Sequence, residues 1–404
     1  MKAGWAERLD HWVTWPLVWG FVLTIPWEKS VYIGEIGTLT RLAGAAALAA
    51  ALARAWLRRA RPRPNLVLLA ATAFVLWSAL SWLWSLDRTA SADRAVTLAQ
   101  LAAMVWMIGE TARAGVRFRL LMAAYLAGST LAAGLTLSRY FRGLETYYRR
   151  YAAPGFDPND MGLTLALAIP MALYLDAQTR GWVRWAYRGC AVFVVAGVLL
   201  TASRTALMVS LTGFALIPLL WKRIGFEQRV VSLAILGLLV GGMLFLAPKP
   251  SRERLASPPA EMQGGKVVSR LGIWRAGLQV FRAHPIKGIG AGAYPQAVEP
   301  LIGRPARAGH RYVAHNTYLS VLVETGLLGF GLFSSLIAAV ILMVWFLPLA
   351  ERAVFGVLLT GWALGIFMLT WEIRKPGWLV FGLVTAAWSR ALNSTEDELE
   401  AANS

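Results

Sequence analysis

The feature that most constrains this chain is a rhythm of apolar runs, each about 17 to 25 residues long, parted by short breaks rich in charge or proline. A run of that length crosses the hydrocarbon layer of a bilayer as a helix, because inside lipid each backbone group must find its partner within the segment. Twelve cores can be marked, at 12–27, 36–56, 65–85, 94–109, 118–138, 161–177, 185–202, 205–221, 230–247, 316–347, 352–371 and 376–392. The tenth is too long for one straight crossing, so its first turns are expected to form a surface or kinked segment. With 57% hydrophobic and 15% charged residues in 404, the chain is too apolar for a soluble protein of this size. The expected fold is an all-α polytopic membrane protein of about 12 transmembrane helices. Spans one to nine fill 1–247, a large loop occupies 248–314, spans ten to twelve fill 315–392, and 393–404 is an acidic, solvated and partly disordered tail.

The formal net charge of +18 would suggest nucleic acid in a soluble protein, but here the cations lie in clusters between apolar spans, so anionic membrane lipid is the expected partner. Cys190, the single cysteine, allows no intrachain disulfide and reads as a small buried hydrophobe. No small-residue cleavage site follows the first apolar stretch, which therefore reads as a retained span. Lys and Arg in short loops stay in the cytoplasm. Placing the dense R-A-W-L-R-R-A-R-P-R-P loop inside also puts Arg113, Arg117 and Arg119 inside, with Arg180, Arg184 and Arg188, and both termini. More than half of the 40 Lys and Arg then fall on the outer side, including Arg88, Arg204, Arg374 and Lys375 in short connections. Cations kept where topology disfavours them point to an anionic ligand there, or to headgroups and nearby carboxylates as partners.

Four stretches share that outer side. They are A-P-G-F-D-P-N-D-M-G at 153–162, T-A-S-R-T-A-L at 201–207, the stretch from Ser269 through H-P-I-K-G-I-G-A-G, and H-N-T-Y-L-S-V-L-V-E-T-G-L-L-G-F at 315–330. In the third, Leu271, Trp274, Leu278 and Phe281 recur at helical spacing among Arg270, Arg275 and Arg282, which predicts an amphipathic helix on or near the membrane, stopped at His284-Pro285. His315 could be an interfacial ornament or a titratable group doing chemistry. Asp157 and Asp160 could hold a metal or form a turn and helix cap. Asn159 reads as a substrate-binding or capping residue. Arg142, Arg149 and Arg150, interleaved with Tyr147, Tyr148 and Tyr151, would steer phosphate or core sugars, or anchor headgroups. Glu324, nine residues after His315, faces away from it on a straight helix and reads as the neutraliser of a buried arginine. His284 reads as a terminator, His310 as a loop residue, and Gly288, Gly290 and Gly292 as a turn or a phosphate cradle.

Together the four stretches resemble the O-antigen ligase and polymerase superfamily, and H-N-x9-G-x-x-G from His315 to Gly329 is similar to the signature of lipopolysaccharide O-antigen ligases. The resemblance covers about 150–335, and Phe330 departs from it where a small or polar residue is common. It implies a C-type glycosyltransferase fold of the bacterial inner membrane. It implies transfer of a glycan from undecaprenyl diphosphate to lipid A-core on the periplasmic face, with inversion and without a metal or other cofactor. It also implies an essential histidine, carried over to His315, and two essential arginines. Arg204 matches the first, and Arg270 fits the second, with Arg275 as rival. Asn316, beside His315, is a further candidate for substrate binding. Guanidinium groups can hold a departing diphosphate by paired, charge-assisted hydrogen bonds, and a neutral imidazole can take the proton of an attacking hydroxyl. An O-antigen polymerase or a protein O-oligosaccharyltransferase would share the donor. A flippase would need ionisable groups at mid-membrane, which the span cores largely lack.

Overall fold

The computed structural model describes residues 2–59, 65–113, 115–146, 150–214, 225–241, 270–303 and 311–403. In chain order the helices begin with α1 (Lys2–Leu9), which passes through a π-helical turn at Asp10–Thr14 into α2 (Trp15–Thr24). A 3-10 turn, Ile25–Ser30, and a two-residue hairpin, β1 (Tyr32–Ile33) with β2 (Gly37–Thr38), paired Tyr32 to Thr38, return the chain. There follow α3 (Leu39–Leu57), α4 (Leu66–Leu80), α5 (Arg88–Thr111), α6 (Gly115–Phe141), α7 (Pro158–Ala166), α8 (Ala168–Gln178), α9 (Val183–Thr201), α10 (Arg204–Gly213) and α11 (Phe226–Gly241). The long loop contributes α12 (Arg270–Ala283) and α13 (Tyr294–Ile302), and the chain ends with α14 (Thr317–Trp345), α15 (Leu349–Phe367) and α16 (Lys375–Asn403). Each of the twelve apolar cores carries helix, and six of the described helices are long and apolar enough to cross a membrane.

Helix starts follow local chemistry. Asp87, Asp157, Ser203 and Asn316 each accept a hydrogen bond from a backbone N–H in the first turn of the helix that follows, satisfying donors that a helix cannot satisfy itself. Pro158 occupies the first turn of α7, where its missing N–H is harmless. One large apolar cluster joins the spans, with Phe74, Phe118, Phe333, Phe355 and Trp371 among its fully buried members. A second, smaller cluster fastens α12 and α13 to the start of α14 through Ile273, Val280, Tyr294, Leu319 and Val323.

Three expectations change. The buried stripe of α12 is Ile273, Ala276, Gly277 and Val280, while Leu271 and Leu278 are exposed. In lipid an apolar face can point outward as well as inward, so periodicity alone does not choose between them. The loop holds a second helix, α13, where the sequence suggests only a turn. The end of α16 continues helically to Asn403, as its Glu, Leu and Ala content favours.

The long span α14 is broken. If straight, its 29 residues would measure about 44 Å, more than a bilayer core. Gly326 leaves the helix at φ 67°, ψ −171°, and the loop after His284 fills the gap with backbone. Leu327 N–H donates to the Pro285 carbonyl at 2.8 Å and Leu328 N–H to Ile286 at 3.2 Å. In return Gly290 N–H donates to the Glu324 carbonyl at 2.9 Å and Ile289 N–H to Val323 at 3.3 Å. A Cβ on Gly288 or Gly326 would land on the opposing main chain, and both residues have left-handed φ, so glycine is required twice. Backbone freed by the break is thus satisfied by protein, the condition for non-helical structure at membrane depth.

Candidate active site

His315 stands immediately before the cap of α14, half-buried and in the left-handed region at φ 48°. A non-glycine residue is rarely held there, and such strain persists only where the surroundings fix it. They do so from several directions. Asn316 Oδ1 accepts from Leu319 N–H at 3.0 Å, and Trp274 Nε1 donates to the Ala314 carbonyl at 2.7 Å. Thr317 Oγ1 donates to the Leu369 carbonyl and accepts from Trp371 N–H, both at 2.8 Å. Burial holds the His315 imidazole below its ordinary range, the Arg270 charge lowers it further, and Asp157 and Asp160 pull the other way. The ring is thereby biased to the neutral form in which one nitrogen can accept a proton.

Arg270 opens α12, half-buried, with its guanidinium against Met368 Sδ at 3.6 Å and its charge acting on His315. Arg275 is on the exposed side of the same helix. Of the two arginines of the loop helix, Arg270 is half-buried with its charge acting on the imidazole, and Arg275 is exposed.

Asp160 joins α7 to distant parts of the chain. Its carboxylate accepts from Trp371 Nε1 at 3.0 Å and Arg374 at 2.8 Å, and pairs with Lys29 Nζ at 3.3 Å. Burial lowers the Lys29 ammonium below its usual range, and the neighbouring Arg374 adds to this. Asp157 is exposed and caps α7 through Asn159 N–H at 2.7 Å. Of the two readings for this carboxylate pair, the structure therefore shows a helix cap and an ion-pair hub.

The turn carrying Arg204 is braced from behind. Arg150, buried, donates to the Thr201 carbonyl at 2.7 Å and to Asn159 Oδ1 at 2.8 Å. Ala202 is left-handed at φ 46°, Ser203 caps, and Arg204 is the first residue of α10, half-buried. Gly162 brings α7 against this turn at Thr201, Ser203 and Ala206. Arg150 and Asn159 thus work as struts between the turn and α7, and Asn316 is a cap. Arg142 is exposed at the end of α6, and Arg149 lies outside the described residues.

Sequence reasoning singled out His315, Arg204 and Arg270 but missed Lys29, Trp371 and the role of Arg374. The signal for Arg374 was its place as a cation in a short outer connection, whereas Lys29 gave none. Glu324 does lie beside an arginine, the half-buried Arg94. It lies 3.7 Å from Arg94, which also pairs with Glu372, and it accepts from Gly292 N–H at 2.7 Å. His284 ends α12 as expected, exposed, while His310 lies outside the described residues.

No curated protein matches the chain. Residues 189–334, which hold the Arg204 turn, α12 and the His315 signature, match the family model described as O-Antigen ligase.

Proposed function

We propose that the protein is an O-antigen ligase that transfers a polysaccharide from undecaprenyl diphosphate to a sugar hydroxyl of lipid A-core on the periplasmic face of the bacterial inner membrane. The observation that carries this reading is a neutral-biased, conformationally fixed imidazole facing Arg270 inside a segment that matches the ligase family. His315 takes the proton of the acceptor hydroxyl as its oxygen forms the new bond to the sugar C1. The bond from C1 to the phosphate oxygen breaks, and its electron pair leaves with the diphosphate. Arg270 and Arg204 hold that developing charge by charge-assisted hydrogen bonds. A single displacement inverts the anomeric centre, and proton transfer of this kind contributes on the order of a hundredfold to ten-thousandfold. The C-type glycosyltransferase architecture belongs to the same reading.

The test is transfer by purified protein, given lipid-linked glycan and either lipid A-core or a second lipid-linked glycan. Product on lipid A-core is expected. Product only on the second acceptor would make the enzyme a polymerase, and product only on an added protein would make it an O-oligosaccharyltransferase.

A further inference from the structure

Between α2, α3, α5 and the start of α16 lies a cavity of about 210 Å³ to which the reaction above gives no role. Its floor is apolar and buried, formed by Phe21, Leu101, Met104 and Met107. Arg41, Ala45 and Gln100 on its walls are exposed, so it opens sideways. Arg41, Thr97 and Lys375 gather at the end nearest His315. Thr97 to Met107 is ten residues of α5, about 15 Å of rise, so the cavity is a slot reaching roughly halfway through a bilayer core. Among the described residues, the Arg41 guanidinium and the Gln100 amide have no hydrogen-bond or ion-pair partner.

These features define an occupant. The volume modestly exceeds the roughly 150 Å³ of a cavity that takes benzene, so it suits a segment of one narrow hydrocarbon chain and excludes a bundle of acyl chains. Two buried methionines give the floor an adaptable surface for a methyl-branched chain. Arg41 at the outer end complements an anionic head, while Lys375 beside it is ion-paired with Glu28. The mouth also adjoins the site, because Ile373 and Lys375 line the slot while Arg374, between them, pairs with Asp160.

We propose that this slot holds the polyprenyl carbons nearest the diphosphate of the donor, with Arg41 at its mouth drawing the diphosphate toward the imidazole. The proposal deepens the donor assignment made above and rests on it.

Ala45→Phe and Gln100→Trp fill the slot from two walls at exposed positions, where folding is least disturbed. The probes are farnesyl diphosphate and inorganic pyrophosphate, with binding to the full-length purified protein followed by thermal shift alongside steady-state transfer. Wild type is expected to bind farnesyl diphosphate at least about tenfold more tightly than pyrophosphate, a difference of about 1.4 kcal/mol. Each variant should erase that preference while leaving pyrophosphate binding unchanged. The donor KM should rise about tenfold, with kcat and acceptor KM within about twofold of wild type. Equal preference for farnesyl diphosphate in all three proteins would overturn the proposal. So would variants that shed a co-purified phospholipid without changing donor KM, since the slot would then serve bilayer lipid. Failure of the donor assignment looks different: no lipid-linked glycan is a substrate, yet chain-dependent binding in the slot persists.

Discussion

The two ends of the helical bundle use the same ion-pair chemistry, and among the described residues only one of them adds strain away from the exposed surface. At the end opposite His315, Asp10 bridges Arg54 at 3.0 Å and Arg117 at 2.7 Å. Asp176 and Glu227 bracket Arg188 at 2.8 and 2.6 Å, and Glu351 holds Arg390 at 2.8 Å. At the His315 end, Asp160 serves Lys29 and Arg374, while Glu324 and Glu372 serve Arg94. Charge alone does not distinguish the two ends. Backbone does. Arg59, left-handed at the opposite end, is an exposed residue just past α3, whereas Ala202 is buried and His315 half-buried, and each immediately precedes a helix cap. An arginine at the end of a span is by default a strut. It becomes evidence for chemistry when it converges on a titratable group whose backbone is held in an unfavourable conformation.

The sharpest test of this contrast compares His315→Ala with Arg188→Ala. The first should remove transfer by at least about a hundredfold in protein that still elutes as a single species. The second should lower the yield of folded protein, with turnover per folded molecule near wild type, because it leaves the buried Asp176 carboxylate, far from the imidazole, with only the longer Arg184 pair at 3.7 Å. Loss of turnover in well-folded Arg188→Ala would break the comparison. Within the His315 end, Arg270→Ala should reduce kcat by about a hundredfold to a thousandfold, as for other groups that stabilise developing charge, and Arg275→Ala should stay within about twofold. Equal losses would show that α12 presents both arginines to substrate. Gly326→Ala adds a Cβ against the Ile286 carbonyl at a left-handed φ, so a lower melting temperature is expected together with a several-fold loss of activity. Gly331→Ala, where nothing lies within reach of the new Cβ, should have little effect. The smallest effect is on pH. Because burial and Arg270 lower the His315 pKa, the acid limb of kcat/KM should fall below the ordinary imidazole value of about 6.5. Arg270→Gln removes a charge that disfavours imidazolium, so in its residual activity the limb should move upward. A downward shift would assign the limb to another group.

The helical apolar runs and the helix caps were legible because they depend on local pattern. The apolar runs mark the helices, and Asp157, Ser203 and Asn316 precede helices as capping residues do. The Asp160 hub was not legible, since Lys29, Trp371 and Arg374 lie 131, 211 and 214 residues away in sequence. Nothing near D-P-N-D announces them. Similarly, Glu324 could be read as the neutraliser of some arginine, but only the packing of α5 against α14 and the segment before α16 selects Arg94. The preference for Arg270 over Arg275 depends on which face of α12 meets protein, and hydrophobic periodicity loses that information beside lipid.

The seam between 285–290 and 323–328 is joined by main-chain hydrogen bonds around two facing glycines. Glu324, Val323 and Ile289 anchor it to its surroundings, but the exposed side chains of Ile286, Leu327 and Leu328 contribute little, so those letters can be rewritten while the join persists. Adding or deleting one residue on either side is another matter, because every pairing shifts and Gly288 no longer meets Gly326. The seam therefore tolerates recoding at its exposed positions but not re-spacing, a fixed ruler that sets how far the long loop stands from the helix beginning beside His315.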